Sequence, residues 1–122
     1  MVRKLILVID DEASVREAVT DVLELEGLQV LTAPDGAAGV ALYGEWQADI
    51  GLVLLDLSMP GLTGEETFRE LQKVNPGVRV VLSSGYNQAE ATRRLTGLEL
   101  AGFVQKPYDA ATLIREIRRQ MS

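Results

Sequence analysis

The run Leu5-Ile6-Leu7-Val8-Ile9 contains no polar residue, and Asp10, Asp11 and Glu12 follow it at once. A strand with one wet face alternates apolar and polar residues. An unbroken apolar run is what a strand needs when both of its faces are covered. The pattern recurs: Ile50 to Leu55 is again nearly all apolar, Gln29 to Thr32 and Val78 to Leu82 read as further strands, and Gly102 to Gln105 as a short fifth. Helical spacing fills the gaps. Val15, Ala18, Val19, Val22 and Leu23 recur on one face until Gly27, after a capping box expected from Ser14 to Glu17. A second helix is expected from about Gly36 to Glu45, with Tyr43 and Trp46 packing near its end. Thr63 to Glu66 repeats the capping-box spacing ahead of a buried stripe of Phe68, Leu71 and Val74, and Asn75-Pro76-Gly77 ends that helix. Residues 87 to 98 carry the weakest helical periodicity, and Asp109 caps a last helix with the stripe Leu113, Ile114, Ile117 and Met121.

Five strands alternating with five helices imply an α/β sandwich of three layers, a parallel sheet with helices on both faces and right-handed crossovers. With 122 residues the chain is expected to be one domain, residues 1–122. Its size suits the flavodoxin-like (βα)5 strand order 2-1-3-4-5 better than a dinucleotide-binding double repeat. Ligands of such sheets sit beyond the carboxyl ends of the strands, at the switch between strands 1 and 3. The polar residues at those ends are Asp10, Asp11 and Glu12, then Asp56, then Ser83 and Ser84, then Lys106 and Pro107. In that order strands 1, 3, 4 and 5 are neighbours, so these groups converge on one edge. Three carboxylates held together repel one another or recruit a cation. Lys106 supplies one positive charge, and Mg²⁺ suits a site of two or three carboxylates, a carbonyl and several waters. A cation beside a carboxylate, a hydroxyl and an ammonium can neutralise a phosphoryl group in transfer, with the carboxylate as nucleophile.

Composition narrows the chemistry further. The chain has no Cys and no His, which excludes disulfides, thiol or imidazole catalysis and zinc sites built from those residues. Its 12 basic and 18 acidic residues give a net charge of -6, so direct nucleic-acid binding is not expected. No apolar run reaches the ~18 residues that span a membrane. The stretch after Met1-Val2-Arg3-Lys4 is too brief for a signal peptide. A cytoplasmic setting is expected, with no direct membrane insertion, whether or not a parent protein is membrane-anchored.

Four motifs together resemble the receiver domains of two-component signalling, over essentially the whole chain. They are Val8-Ile9-Asp10-Asp11-Glu12, Leu55-Asp56-Leu57-Ser58-Met59-Pro60-Gly61 with Gly64, Leu82-Ser83-Ser84-Gly85-Tyr86, and Phe103-Val104-Gln105-Lys106-Pro107. The resemblance implies that Asp56 is the phospho-acceptor, and that Asp11 and Asp56 bind Mg²⁺ directly with the Ser58 backbone carbonyl. Asp10 acts mainly through water. Ser84, followed by the small Gly85, takes the hydroxyl switch position, Phe103 the aromatic switch position, and Lys106 the contact to the phosphoryl group. Phe103 stands where Tyr is frequent, so a hydroxyl-mediated partner contact is lost. The Lys106-Pro107 bond is expected to be cis. Ser58 and Tyr86 flank the site and are expected to tune the lifetime of the phosphoryl group. The implied partners are a histidine kinase or a histidine phosphotransfer domain, with a phosphorylation-dependent dimer as a further expectation. Leu82-Ser83-Ser84-Gly85-Tyr86-Asn87 and Leu100 to Tyr108 are most similar to receivers of hybrid sensor histidine kinases, so the chain is read as a domain of a larger kinase or as a stand-alone regulator.

Other readings fit less well. An aspartyl phosphatase of the haloacid dehalogenase kind wants a second acid two residues beyond the nucleophile, where this chain has Ser58. A flavin carrier needs a phosphate-cradling loop after strand 1, where Asp10, Asp11 and Glu12 would repel phosphate. A partner-binding domain without phosphoryl chemistry has no need of the complete acidic set. The clusters Arg93-Arg94 and Arg115, Arg118, Arg119 read as solvated faces, the latter favouring a helix dipole.

Overall fold

A computed structural model of the chain describes residues 5–57, 59, 61, 63–85, 87–95 and 100–121. Along the sequence run β1 (Leu5–Ile9), α1 (Ala13–Leu25), β2 (Gln29–Ala33), α2 (Gly36–Trp46), β3 (Ile50–Asp56), α3 (Gly64–Val74), β4 (Val80–Ser84), α4 (Gln88–Arg94), β5 (Gly102–Gln105) and α5 (Ala110–Met121). The strands pair in parallel as a single sheet in the order β2-β1-β3-β4-β5, as expected. Side chains alternate along each strand and split the core in two. Leu7, Ile9, Val53, Leu55 and Leu82 pack with Tyr43 of α2, Phe68 and Leu71 of α3, and Ala91 of α4. Ile6, Val8, Leu54, Val81 and Val104 pack with Val19 and Leu23 of α1 and Leu113 and Ile117 of α5. Each such side chain contributes roughly 1.5–3 kcal/mol by leaving water, more than any helix propensity, so the apolar runs hold the layers together.

Several local expectations are corrected. α1 starts at Ala13 with Glu12 as its extended cap and no side-chain cap, so Ser14 lies inside the first turn and forms no capping box. The Asp10 carboxylate accepts from the N–H of the cap residue itself, Glu12, at 2.9 Å. At the other end, the Gly27 and Leu28 N–H groups bond the Glu24 and Leu23 carbonyls, and Gly27, at φ +82°, closes the helix. β4 begins two residues later than expected, because Asn75 holds the turn: its carboxamide oxygen accepts from Gly77 and its carbonyl from Val78. The strand therefore takes in Ser83 and Ser84, and β3 takes in Asp56. The α3 stripe ends at Leu71, since Val74 is 36 % exposed. Trp46 is also largely exposed, whereas Tyr43 is buried and its hydroxyl accepts from Asn75. In α5, Ile114 and Met121 are half-buried, and Gln120 is buried between Arg79 and Glu116. Arg118 pairs with Glu26 of α1, Arg119 with Glu116 and Arg93 with Glu90, and all three side chains stay mostly exposed, as expected of solvated faces. α4 is described as Gln88–Arg94, and residues 96–99 of the expected helix lie outside the described residues.

The Thr63 capping box is present in full, with the Glu66 N–H donating to Thr63 and the Thr63 N–H to Glu66. It starts α3 directly against the end of β3. A Cβ on Gly64 would stand 2.6 Å from the Leu57 Cα and 2.9 Å from the Asp56 carbonyl oxygen. Both neighbours are backbone and cannot rotate away. Gly64→Ala is expected to destabilise the protein by about 1–3 kcal/mol through this overpacking, against about 1 kcal/mol for Thr63→Ala through loss of the cap. Urea titrations followed by circular dichroism check both, and a Gly64→Ala protein as stable as the parent would remove the close approach.

Candidate functional site

Asp10 directly follows β1, Asp56 ends β3 and Lys106 directly follows β5. Asp10 and Asp56 are both only 3 % exposed, while Asp11 is exposed. One carboxylate oxygen from each of the three lies within 4.8 Å of the other two. The Lys106 Nζ donates to Asp10 Oδ2 at 2.9 Å and stands 3.6 Å from Asp56 Oδ2. Burial works against the charge on Lys106, but the hydrogen bond to Asp10 and the fields of Asp56 and Asp10 outweigh it and raise the amine above its ordinary pKa. The ammonium is therefore a fixed positive charge at neutral pH.

The backbone around these groups is pinned. Asp10 N–H bonds the Ala33 carbonyl at 3.1 Å, and Arg16 of α1 donates to the Asp10 carbonyl at 2.7 Å. Lys106 N–H bonds the Ser84 carbonyl at 2.7 Å, and the Lys106-Pro107 peptide is cis. Ser83 and Ser84 are both buried at the end of β4, where Ser83 is in register with Asp56 and Ser84 with Gln105. By alternation Ser83 shares the α1/α5 face with Val81, and Ser84 the opposite face with Leu82. Phe103 is half-buried, in register with Leu82, and packs on the core beneath α2, α3 and α4. A depression of about 440 Å³ lies beside it, bordered by Thr92, Leu95 and Leu100. Ser58 and Tyr86 lie outside the described residues.

Asp10, Asp11, Asp56 and Lys106 thus come together. Ser84 and Phe103 lie on the other face of the sheet. Sequence reading missed Arg16, hidden inside the supposed capping box, and Tyr108, whose hydroxyl is buried near Ser83. Burial pushes the Tyr108 hydroxyl up, with Ser83 and Lys106 pulling it the other way. The donor set is all oxygen, with three carboxylates against one ammonium, and this fits a hard divalent cation such as Mg²⁺.

This arrangement of parallel sheet and acidic edge defines a class, the phosphoryl-accepting signalling domains, and comparison with known proteins agrees. Residues 6–118 match the family described as response regulator receiver domain, and the chain belongs to that family. It is a receiver domain of two-component phosphorelay signalling. It is 31% identical over 93% of its length to the probable transcriptional regulatory protein TcrX of Mycobacterium tuberculosis, covering 47% of that protein. It is 27% identical over 95% of its length to the sensor kinase CckA of Brucella abortus, covering 12% of it. The solved receiver domain of NtrX from Brucella abortus superposes with a TM-score of 0.85 at 31% identity, covering 95% of this chain and 97% of that one. The chain spans about half the length, or less, of the curated relatives it matches.

Lys106→Met would leave Asp10 and Asp56 facing each other with no ammonium between them. It is expected to lower stability at pH 7 by about 1–3 kcal/mol. Millimolar Mg²⁺ should then raise the melting temperature of the variant more than that of the parent. Equal stability of the two proteins in the absence of divalent ions would show that Lys106 does not neutralise the pair.

Proposed function

We propose that Asp56 accepts a phosphoryl group from the phosphohistidine of a histidine kinase or a histidine phosphotransfer domain. An Asp56 carboxylate oxygen attacks phosphorus as the P–N bond to the donor imidazole breaks, and the imidazole leaves with its electron pair and takes up a proton. Water later hydrolyses the acyl phosphate. The observation that carries this reading is the meeting of Asp10, Asp11 and Asp56 within 4.8 Å, with Lys106 at 2.9 and 3.6 Å from two of them. Asp11 and Asp56, with the Ser58 carbonyl, would hold Mg²⁺ directly, and Asp10 would act mainly through water. Bound there, Mg²⁺ would offset charge on the phosphoryl oxygens. Lys106 moves from Asp10 toward a phosphoryl oxygen, and it is already within ion-pair distance of Asp56.

The added charge on Asp56 then recruits the Ser84 hydroxyl. Ser84 moving inward frees space beneath α4, and Phe103 rotates into it, remodelling the face of α4, β5 and α5. α4 suits this role: of its described side chains and that of its cap, only Ala91 and Leu95 are buried. That face also suits a phosphorylation-dependent dimer. Residues 1–122 act as one cytoplasmic receiver, without enzymatic activity beyond their own phosphorylation and dephosphorylation. Similarity to a sensor kinase supports a domain of a hybrid kinase, and similarity to transcriptional regulators supports a stand-alone or DNA-linked regulator.

Acetyl phosphate with Mg²⁺ should add one phosphate by intact mass, and Asp56→Asn should abolish it. Undiminished labelling of that variant would sink the assignment. Beryllofluoride, a phosphoryl mimic, should shift amide resonances along α4 and around Phe103. Ser84→Ala should keep phosphorylation yet weaken those distant shifts at least twofold, and an identical response would break the proposed coupling.

A further inference from the structure

Two buried hydroxyls beside the acidic site have no role in the chemistry above. Ser83 Oγ and the Tyr108 hydroxyl are both buried, and neither has a partner at hydrogen-bonding geometry among the described residues. They are neighbours at the margin of a hydrogen bond: Ser83 pulls on the acidity of the phenol as a hydrogen bond does, against the effect of burial, although the two fall short of a well-formed geometry. Buried polar atoms are nearly always satisfied, so two adjacent orphans call for an explanation.

Their position supplies one. Ser83 is in register with Asp56 and points to the same face of the sheet. Tyr108 lies two residues beyond Lys106, on the far side of the cis peptide, and its ring packs on the α1/α5 core. Lys106 directly follows β5 and must cross the level of β4 to reach Asp56, and Ser83 is what β4 carries at that level. The ammonium has three donors, and carboxylates flank it on the β1 and β3 side. On the β4 and β5 side stand Ser83, by register, and Tyr108, whose hydroxyl feels the charge of Lys106.

We propose that Ser83 and Tyr108 are positioning residues for phosphoryl transfer, their hydroxyls acting as one unit that holds Lys106 toward Asp56. In the resting state the ammonium bonds Asp10 and the hydroxyls are slack. When a phosphoryl group draws the ammonium toward Asp56, a small rotation tightens the marginal Ser83–Tyr108 contact into a well-formed hydrogen bond and gives the lysine a polar support behind it. Two orientable neutral dipoles suit this task, since a further charge would compete with the carboxylates. Ser84 points to the other face and has a separate task. The inference rests on the proposed phosphoryl acceptance at Asp56, and the test separates the two.

Phosphorylation by acetyl phosphate is followed by intact mass over a range of donor and Mg²⁺ concentrations. Tyr108→Phe removes one oxygen and no volume. Ser83→Thr and Ser83→Val have the same shape and differ in the hydroxyl. Tyr108→Phe and Ser83→Val should each lower the maximal rate about tenfold, the equivalent of one hydrogen bond. The half-saturating donor concentration and the Mg²⁺ affinity, read from the Asp11 amide shift, should stay within twofold of the parent. Ser83→Thr should retain most of the parent rate. Combining Ser83→Val with Tyr108→Phe should cost no more than the worse single change, because no orphan is left behind. Maximal rates near the parent value in both single variants would overturn the proposal. So would equal rates for Ser83→Thr and Ser83→Val, multiplying effects in the double variant, or a parallel loss of Mg²⁺ affinity. If the parent itself takes up no phosphate, or takes it up equally as Asp56→Asn, the phosphoryl-acceptor reading fails and this inference falls with it.

Discussion

Asp10 and Asp56 lie buried beside one another at the carboxyl edge of the sheet, and Lys106 is the charge that makes their burial tolerable. Two unit charges 4 Å apart interact by about 4 kcal/mol at an effective dielectric constant near 20. That is a large part of the 5–15 kcal/mol that typically separates folded from unfolded domains. One ammonium placed between the carboxylates offsets their mutual repulsion. With Asp11 included, the cluster keeps two negative charges in excess, the charge of one divalent cation. A site built in this way is stable enough to fold and still electrostatically incomplete, which is the condition for binding a cation and reacting with an electrophilic phosphoryl group.

The sheet order follows from the same constraint. β1 and β3 must be adjacent to bring Asp10 and Asp56 together, and their register pairs Ile9 with Leu55, one residue before each acid. Lys106 arrives from the edge strand across β4, at strand spacings of about 4.8 Å. A long side chain is needed, and the level it crosses has to be occupied by something small. β4 ends in two serines there. The backbone bonds from Lys106 to Ser84 and from Leu57 to Ser83 tie all three strand ends to that level. Gly64 brings the start of α3 against the backbone of Asp56 and Leu57, so Leu57 is held between the start of α3 and the end of β4.

Much of this was legible in the sequence because burial on both faces of a strand leaves a pattern that no amphipathic element shares. The runs Leu5–Ile9 and Ile50–Leu55 gave away the centre of the sheet, and the acids after them marked its carboxyl edge. The misreadings arose where one polar residue had two possible employers. Ser14 has the spacing of a cap, but the helix starts before it, with the Glu12 carbonyl accepting from the Val15 and Arg16 N–H groups. Ser83 and Ser84 look like loop residues, yet they are strand residues buried under charge. Arg118 keeps the exposure expected of a solvated helix face, and the packing of α1 against α5 adds Glu26 as a partner that the sequence does not show. Contacts between elements far apart in the chain leave no local signature. Arg16, which holds the Asp10 carbonyl, was invisible for a related reason: its partner is a backbone atom, and sequence does not display those.

The pair Ser83-Ser84 carries the functional argument furthest. Consecutive strand residues point to opposite faces, so a single strand end serves both layers of the sandwich. One serine stands with Asp56, Lys106 and Tyr108 on the side of α1 and α5. The other stands with Leu82 and Phe103 on the side of α3 and α4. A phosphoryl group centred on Asp56 lies at the sheet edge, where it can act on both faces. On the roles proposed above, acting on the first face would change how the lysine is held and hence how fast the chemistry runs. Acting on the second would change what lies beneath α4 and hence what a partner meets. The sheet itself stands between the two hydroxyls, so the proposed roles would let rate and output vary independently through substitutions one residue apart.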